Sequence, residues 1–458
     1  MALVGYFFIM PNIKIAILGF SLEGKAILKY LQKSPQYKNA EIWILDKNKN
    51  LEIPQEIGNL HLKTGINYLK NLEQFDIIFR SPGIPYNLPE IQNTIKKGVE
   101  ISSSTKIFFE KINKMVRHGT STELSRMSSP QVIGITGTKG KGTTSTLLYK
   151  ILKAAKKDVY LAGNIGKPAI ELLPKIKKNS IVILELSSFQ LQDIRQSPQI
   201  TVVLDVFEDH LDSHKNFKEY IGAKSSISKF QNPNDKIFYF PDNKYSRLIA
   251  EKSKGKKIPV SINKFQLFSH EDLKIAGEHN FKNAVIAATI AKNIGVGNNI
   301  IKKVVKNFRE LEHRLEFIRQ IKNIKFYNDS ASTNPFTAVA AIKSFNEAKI
   351  LICGGKDKNL DYSPLAKALK NSNTKLIVLF GENKNKIKQS IIKSGVPFKL
   401  AKNLETAVKF AYQAAKLPTT NYQLPTTIIF SPASASFDMF SNYKERGKKF
   451  KKLVEKLK

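Results

Sequence analysis

At 458 residues, 42% of them apolar and 24% charged, the chain is too long for one hydrophobic core and too apolar to stay disordered; roughly three globular domains are expected. A single cysteine, Cys353, excludes an internal disulfide and a thiolate metal cluster, and within Ile350-Leu-Ile-Cys353 it reads as a small buried hydrophobe. The formal charge of +36 is carried by lysines scattered among Asn and Ile, not gathered in a stripe with aromatics, so we expect a solvated surface that favours anionic small molecules and no nucleic-acid partner.

The apolar start, Ala2 to Ile9, is shorter than the ~20 residues of a membrane span, lacks the basic front of a signal peptide, and is followed by Met10, an alternative start. No later run reaches ~18 apolar residues, so a soluble protein with no membrane partner is expected.

Apolar runs bounded by turns alternate with helical-period stretches, the pattern of parallel α/β sheets. The first block opens with a strand at Ile13–Gly19, a helix at Glu23–Gln32 and a strand at Glu41–Asp46 that ends in an acid, a Rossmann-like unit with sparse glycines. A third strand, Phe75–Phe79, runs into Ser81-Pro82-Gly83, a turn at a strand's carboxyl end, where α/β folds bind ligands. Residues 117–130 are Ser/Thr-rich and unpatterned, as in a linker or insertion.

The second block begins with the strand Gln131–Thr136, which breaks into Gly137-Thr138-Lys139-Gly140-Lys141-Gly142-Thr143-Thr144 and then a helix at Leu147–Ala155. Glycines let backbone amides converge on phosphate oxygens, the helix N-terminus adds its dipole, and Lys141 reaches the terminal phosphates. The spacing departs from the usual P-loop, since Gly142 stands where a hydroxyl would follow the lysine; the hydroxyl of Thr143 or Thr144 is left to hold Mg²⁺. The strand Ile181–Leu184 delivers Glu185 beside that loop, placed to hold Mg²⁺ directly or through water. The strand Thr201–Asp205 leads to Glu208-Asp-His210-Leu-Asp-Ser-His214, a grouping of acids and imidazoles that suits a metal or phosphate. A third block after Leu311-Glu-His-Arg314 has strands at Ile350–Cys353, Leu376–Phe380 and Thr426–Phe430 between helical stretches.

Together with Glu185-Leu-Ser-Ser-Phe-Gln-Leu191, this order of landmarks resembles the Mur ligases from the first strand to Arg446. The further landmarks are Gly163-Asn-Ile-Gly166, Gly277-Glu-His-Asn280, Asn328-Asp-Ser330 and Ser431-Pro-Ala-Ser-Ala-Ser-Phe437. The resemblance implies three α/β domains: a Rossmann-like domain for the UDP-sugar (1–110), a central P-loop-type ATPase domain with a mainly parallel sheet (111–312), and a Rossmann-like domain for the incoming amino acid (313–458). It also implies a cytoplasmic, monomeric amide ligase of peptidoglycan precursor synthesis that uses ATP and Mg²⁺ to add D-glutamate to UDP-N-acetylmuramoyl-L-alanine through an acylphosphate.

By resemblance, Leu22, Asp46, Lys47, Ser81, Pro82 and Gly83 face the uridine diphosphate, and Asn164 the sugar-peptide. The loop from Gly137 to Thr144 holds the ATP phosphates, Asn280 and Asn283 read adenine, and Arg314 and Asp329 grip ATP. Thr143, Glu185, His210 and a carbamylated Lys224 serve magnesium, while Thr333, Lys358, Ser436, Phe437 and Tyr443 hold the glutamate. Lys141, Glu185, His210 and Lys224 are thus the catalytic set. Two departures stand out. Ala331 replaces a family lysine on the glutamate side, which leaves D- against L-glutamate open; Lys139 and Gly142 replace the commoner Asn and Ser/Thr, and Gly142 is shared with folylpolyglutamate synthases, which lack the first block.

Overall fold

The computed structural model describes residues 13–53, 59–117, 129–210, 213–275, 277–309, 311–416 and 425–458. The apolar start, Leu211, Asp212 and residues 118–128 of the Ser/Thr-rich stretch lie outside them. The chain packs as two units, one of residues 1–263 and 286–300, the other of 264–285 and 301–458.

The first unit holds two sheets. In one, β1 (Lys14–Leu18), β2 (Glu41–Asp46), β3 (Leu60–Thr64), β4 (Ile77–Arg80) and β5 (Glu100–Ser102) are ordered β3-β2-β1-β4-β5, every pairing parallel. The strand expected at 75–79 is therefore the fourth and begins at Ile77, because Leu60–Thr64, a half-exposed edge with a weak apolar pattern, precedes it. The order reverses between β1 and β4, so the loops after these strands share the crevice at the switch point.

In the other sheet, β6 (Gln131–Thr136), β7 (Val159–Gly163), β8 (Ile181–Glu185), β9 (Ile200–Val203), β10 (Lys236–Tyr239) and β11 (Lys256–Pro259) are ordered β11-β10-β9-β6-β8-β7 and again wholly parallel. Central β6 and β8 are continuous apolar runs because helices cover both sheet faces. Val132, Val182, Leu184, Val203 and Ile227 lie in one core with Tyr220. The helix Phe217–Lys229 starts on Asn216, whose side chain accepts the Glu219 N–H; its i, i+4 spacing then puts Tyr220 and Lys224 on one buried face.

The second unit's sheet joins β12 (Glu316–Ile321), β13 (Ile324–Asn328), β14 (Ala348–Gly354), β15 (Thr374–Phe380), β16 (Phe398–Leu400) and β17 (Thr426–Phe430) in the order β12-β13-β17-β14-β15-β16. Its β12–β13 hairpin is antiparallel and the rest parallel, so the sheet is mixed. Cys353 is fully buried in β14, and burial pushes its thiol up to about 12, as expected of a core hydrophobe. No described helix is long and apolar enough to cross a membrane.

Candidate active site

Between β8 and β9, β6 ends at Thr136 and the chain turns through Gly137 (φ +154°) and Gly140 (φ +84°). A Cβ at Gly137 would lie 2.7 Å from Leu204 Cβ, so the strand-to-loop turn needs glycine. The Thr138 N–H donates to the Asp205 carbonyl (2.9 Å), while the Thr138 hydroxyl meets the Phe207 carbonyl and the Tyr220 hydroxyl, each at 3.0 Å. Those contacts take Leu204 and Asp205 out of the strand expected there, and β9 stops at Val203. The helix opens at Lys141, six residues before the periodic apolar run begins, so its free N–H groups and dipole face the loop. Lys141 Nζ donates to the carbonyls of Gly137 (3.0 Å) and Thr138 (3.2 Å).

Glu185, 2% exposed, ends β8 as the sequence placed it. Gly163, at φ +106°, lets β7 come against it: a Cβ there would lie 2.2 Å from the Glu185 carbonyl oxygen. Asn164 then donates through its backbone to that carbonyl (2.8 Å) and through Nδ2 to Glu185 Oε1 (3.0 Å). Glu185 Oε2 and Thr144 Oγ1 are buried with no hydrogen-bond partner among the described residues. Orphaned buried oxygens are costly, and a cation with its water ligands or a phosphate group is what such atoms complete. The donor set therefore fits Mg²⁺ beside a phosphate. Among the described residues no three His, Cys, Asp or Glu side chains gather into a metal site by themselves. Of the two candidate hydroxyls, Thr144 is the orphaned one.

Lys224, fully buried, donates to the Gly137 carbonyl (3.0 Å) and sits 4.6 Å from the Tyr220 ring centroid. Desolvation, then the charges of Lys141 and Lys139, push its amine well below the usual lysine range; Asp209 and Glu185 oppose this. His210 (φ +56°) follows Asp209, whose carboxylate lies 3.6 Å from Lys139 Nζ and 3.9 Å from His210 Nε2. Burial lowers His210 to about 4 against the opposing charge of Asp209, with Lys139, Lys224 and Lys141 adding to the fall, which favours the neutral imidazole. The Phe189 ring packs edge-on to His210 (5.0 Å) and stacks on His214 (5.3 Å).

At the first sheet's switch point, the Ser81 hydroxyl donates to the Gly19 carbonyl (2.6 Å) and Asp46 accepts the Phe20 N–H (2.6 Å), which draws the three expected loops together. Leu22 is 71% exposed at the start of its helix, and Lys47 and Gly83 are also exposed, with Pro82 half-buried between them. Beside them Glu23 accepts hydrogen bonds from Gln190 Nε2 (3.0 Å) and Ser104 Oγ; burial raises it to about 7, with Gln190 opposing and Glu171 adding.

In the second unit, Asn280 and Asn283 are buried three residues apart on one helix face. Asp329 accepts the Leu315 N–H (3.2 Å) and the Ser431 hydroxyl (2.8 Å), fixing the turn that carries half-buried Arg314. Arg446, wholly buried, donates to the carbonyls of Ser330, Ser434 and Ala435 and to Ser330 Oγ. It thereby ties the loop bearing Thr333 to the loop bearing Ser436 (buried) and Phe437 (64% exposed), while Ser330 Oγ donates to the Tyr443 carbonyl. Lys358 is half-buried on the loop after β14.

Three family profiles match in chain order: Mur ligase MurD-like, N-terminal domain over 13–103; Mur ligase middle domain over 135–272; and Mur ligase, glutamate ligase domain over 313–420. A UDP-N-acetylmuramoylalanine–D-glutamate ligase of Acetivibrio thermocellus is 33% identical over 98% of this chain and 97% of the relative. The chain belongs to the Mur ligase family. Solved structures share its fold: a UDP-N-acetylmuramate-alanine ligase of Thermotoga maritima (TM-score 0.55, 16% identity, 97% and 99% of the two chains) and MurF of Acinetobacter baumannii (0.59, 18%, 78% and 82%).

As a Mur ligase it is an ATP-dependent, ADP-forming amide ligase. The match over 13–103 also separates it from folylpolyglutamate synthases, in which the resemblance leaves that block out. Sequence reasoning about this Mur ligase passed over Asp209 and Tyr220 beside the phosphate loop, Glu23 and Arg80 (which donates to the Phe189 carbonyl, 2.9 Å) in the first unit, and Arg446 in the second. Asp209 lay inside a quoted motif next to His210. Tyr220 had a usable signal, four residues before Lys224 on one helix face. The other three are set by contacts between distant segments.

Proposed function

We propose that the chain joins the amine of D-glutamate to the alanyl carboxylate of UDP-N-acetylmuramoyl-L-alanine, converting ATP to ADP and phosphate. The phosphate-handling chemistry is carried by one observation: Thr144 Oγ1 of the loop and Glu185 Oε2 at the end of the neighbouring strand β8 are buried with no hydrogen-bond partner among the described residues. The substrates are supported by the full-length likeness to the Acetivibrio enzyme. In this reading the backbone amides of the loop and Lys141 cradle the ATP phosphates, and the N-terminal loops at Gly19, Asp46 and Ser81 hold the uridine diphosphate. Asn164, already fixed on Glu185, orients the alanyl end.

The alanyl carboxylate attacks the γ-phosphorus, the bond to the ADP oxygen breaks, and an acylphosphate forms. The glutamate amine then attacks the acyl carbon, loses a proton and expels phosphate. Lys141 and the loop amides offset charge on the transferred group, so the protein acts by positioning and electrostatics. Glu185, neutral His210 and the hydroxyl of Thr143 or Thr144 would hold Mg²⁺, which when bound supplies positive charge against the phosphoryl oxygens. Lys224, desolvated toward the free amine, is set to add CO₂ with loss of a proton; the carbamate would be one more oxygen ligand and would sit as an anion among Lys139 and Lys141.

Asn280 and Asn283 would take the adenine, Arg314 and Asp329 the nucleotide, and Thr333, Lys358, Ser436, Phe437 and Tyr443 the glutamate. ADP release measured with UDP-N-acetylmuramoyl-L-alanine and a panel of D-glutamate, L-glutamate and other amines tests the assignment. D-glutamate should support turnover; release with L-glutamate or with folate but not with D-glutamate overturns it.

A further inference from the structure

We propose that Arg80 is a positioning residue that couples the turn Ser81–Gly83 to the segment Glu185–Gln190, so that engagement of the sugar nucleotide sets the groups that handle the ATP phosphates. The inference rests on the ligase reading above.

Arg80 ends β4 with its side chain 1% exposed, one residue before the turn. A guanidinium offers five donors in a rigid plane, and here they point two ways. On one side a terminal nitrogen donates to the Ile84 carbonyl (2.7 Å), closing the turn that the Ile84 N–H to Ser81 carbonyl bond (3.0 Å) also braces. On the other side the second terminal nitrogen donates to the Phe189 carbonyl (2.9 Å) and to Asp193 Oδ2 (3.1 Å). Phe189 lies in the short helix Ser188–Leu191, which a reciprocal Ser187–Gln190 cap fixes directly after Glu185. Its ring packs on His210 and His214, and His214 Nε2 lies 3.0 Å from Ser188 Oγ. A second strap joins the same short helix to the first turn of the helix Leu22–Lys33 that follows β1, from Gln190 Nε2 to Glu23 Oε1 (3.0 Å). The turn after β4 and the helix start after β1 are thus both fastened to the short helix that follows Glu185 and packs on His210.

A purely stabilising role fits this geometry poorly. Arg80 Nε and Asp193 Oδ1 are buried without partners among the described residues, and a buried ion pair with orphaned atoms returns little of its desolvation cost. What the plane does supply is orientation: it fixes two backbone carbonyls, Ile84 and Phe189, relative to each other. A lysine keeps the charge opposite Asp193 but cannot span both carbonyls.

Calorimetric titration of the full chain with a non-hydrolysable ATP analogue, with and without UDP-N-acetylmuramoyl-L-alanine, reads the coupling directly. In the unaltered protein the sugar nucleotide should tighten analogue binding at least about fivefold, and in Arg80→Lys that factor should fall below about twofold. Analogue affinity without the sugar nucleotide should stay within about threefold, and kcat should drop more than the KM for ATP rises. A coupling factor that survives in Arg80→Lys, or that is absent from unaltered protein binding both ligands, overturns the proposal. Should Arg80→Lys fail to fold by circular dichroism, Asp193→Asn takes its place: a reduced factor supports the proposal and an unchanged one overturns it. Failure of the unaltered protein to bind the sugar nucleotide at all overturns the ligase reading itself, and the coupling with it.

Discussion

Replacing Gly163 with alanine should cripple the enzyme although residue 163 has no side chain of its own to lose. The residue sits at φ +106°, and the new Cβ would lie 2.2 Å from the Glu185 carbonyl oxygen; the oxygen must retreat at least 0.8 Å to reach even the 3.0 Å floor of real contacts. A non-glycine residue at such a backbone angle costs about 1–3 kcal/mol. Displacing the Asn164 N–H from the Glu185 carbonyl adds about 1 kcal/mol, for a total near 2–4 kcal/mol. The same retreat moves the Glu185 carboxylate, and a displacement of about 1 Å at reacting groups lowers turnover on the order of a hundredfold. Gly222 is the matched control. It lies exposed inside the helix Phe217–Lys229, with nothing within 4 Å of an added Cβ, so Gly222→Ala should gain about 0.5–1 kcal/mol. Thermal melts and ADP-release rates for both variants decide the matter. A Gly163→Ala enzyme that melts and turns over like the parent would refute the reasoning, since neither the close approach nor its effect on Glu185 would then hold.

Other outcomes follow from the same contacts. Lys141→Ala should fold and lose at least about a hundredfold in ADP release, because a preorganised cation is removed from the phosphates; near-parental release would place the phosphate loop elsewhere. Tyr220→Phe removes one hydrogen bond to Thr138 Oγ1, which keeps its Phe207 partners, so urea melts should show a loss of about 1 kcal/mol with modest change in turnover. Glu23 carries a pH signature. Its folded pKa of about 7 lies above the ordinary value of 4.5, so the native state binds the extra proton, and the stability this gives is present below pH 4.5 and lost as pH rises through 7. At 1.36 kcal/mol per unit the ceiling is about 3 kcal/mol, which solvent access to this half-buried carboxyl lowers to about 1–2 kcal/mol. Glu23→Gln should therefore be more stable than the parent at pH 8 and equal to it near pH 4.5 in denaturant melts; parallel pH profiles for the two would contradict this.

What could be read from the sequence was local. The run from Gln131 to Thr144 announces its turn, lysine and helix within a few residues, and Glu185 follows an unbroken apolar strand, so both stand where the residues put them. The helix start at Lys141 was hidden because Gly142, Thr143 and Thr144 are poor helix formers, and the packing of the loop overrides propensity there. The edge strands β3, β11 and β16 were missed because half-exposed edges dilute the apolar signal, and the β12–β13 hairpin because its strands are polar on one face. Contacts between distant segments were invisible: Thr138 meets Tyr220 across 82 residues, and Arg80 meets Phe189 across 109. Arg446 is one cation in a lysine-rich helix, and only its burial against Ser330, Ser434 and Ala435 marks it out.

The central claim, an ATP-driven amide bond formed through an acylphosphate on the alanyl carboxylate, is tested most directly with oxygen label. UDP-N-acetylmuramoyl-L-alanine carrying ¹⁸O in that carboxylate is turned over with ATP, Mg²⁺ and D-glutamate, and the phosphate released is weighed by mass spectrometry. The account predicts one labelled oxygen in each phosphate, since the carboxylate oxygen that attacks phosphorus leaves with it. Unlabelled phosphate accompanying D-glutamyl product would contradict the acylphosphate route, and labelled or unlabelled phosphate without any glutamyl product would contradict the ligase.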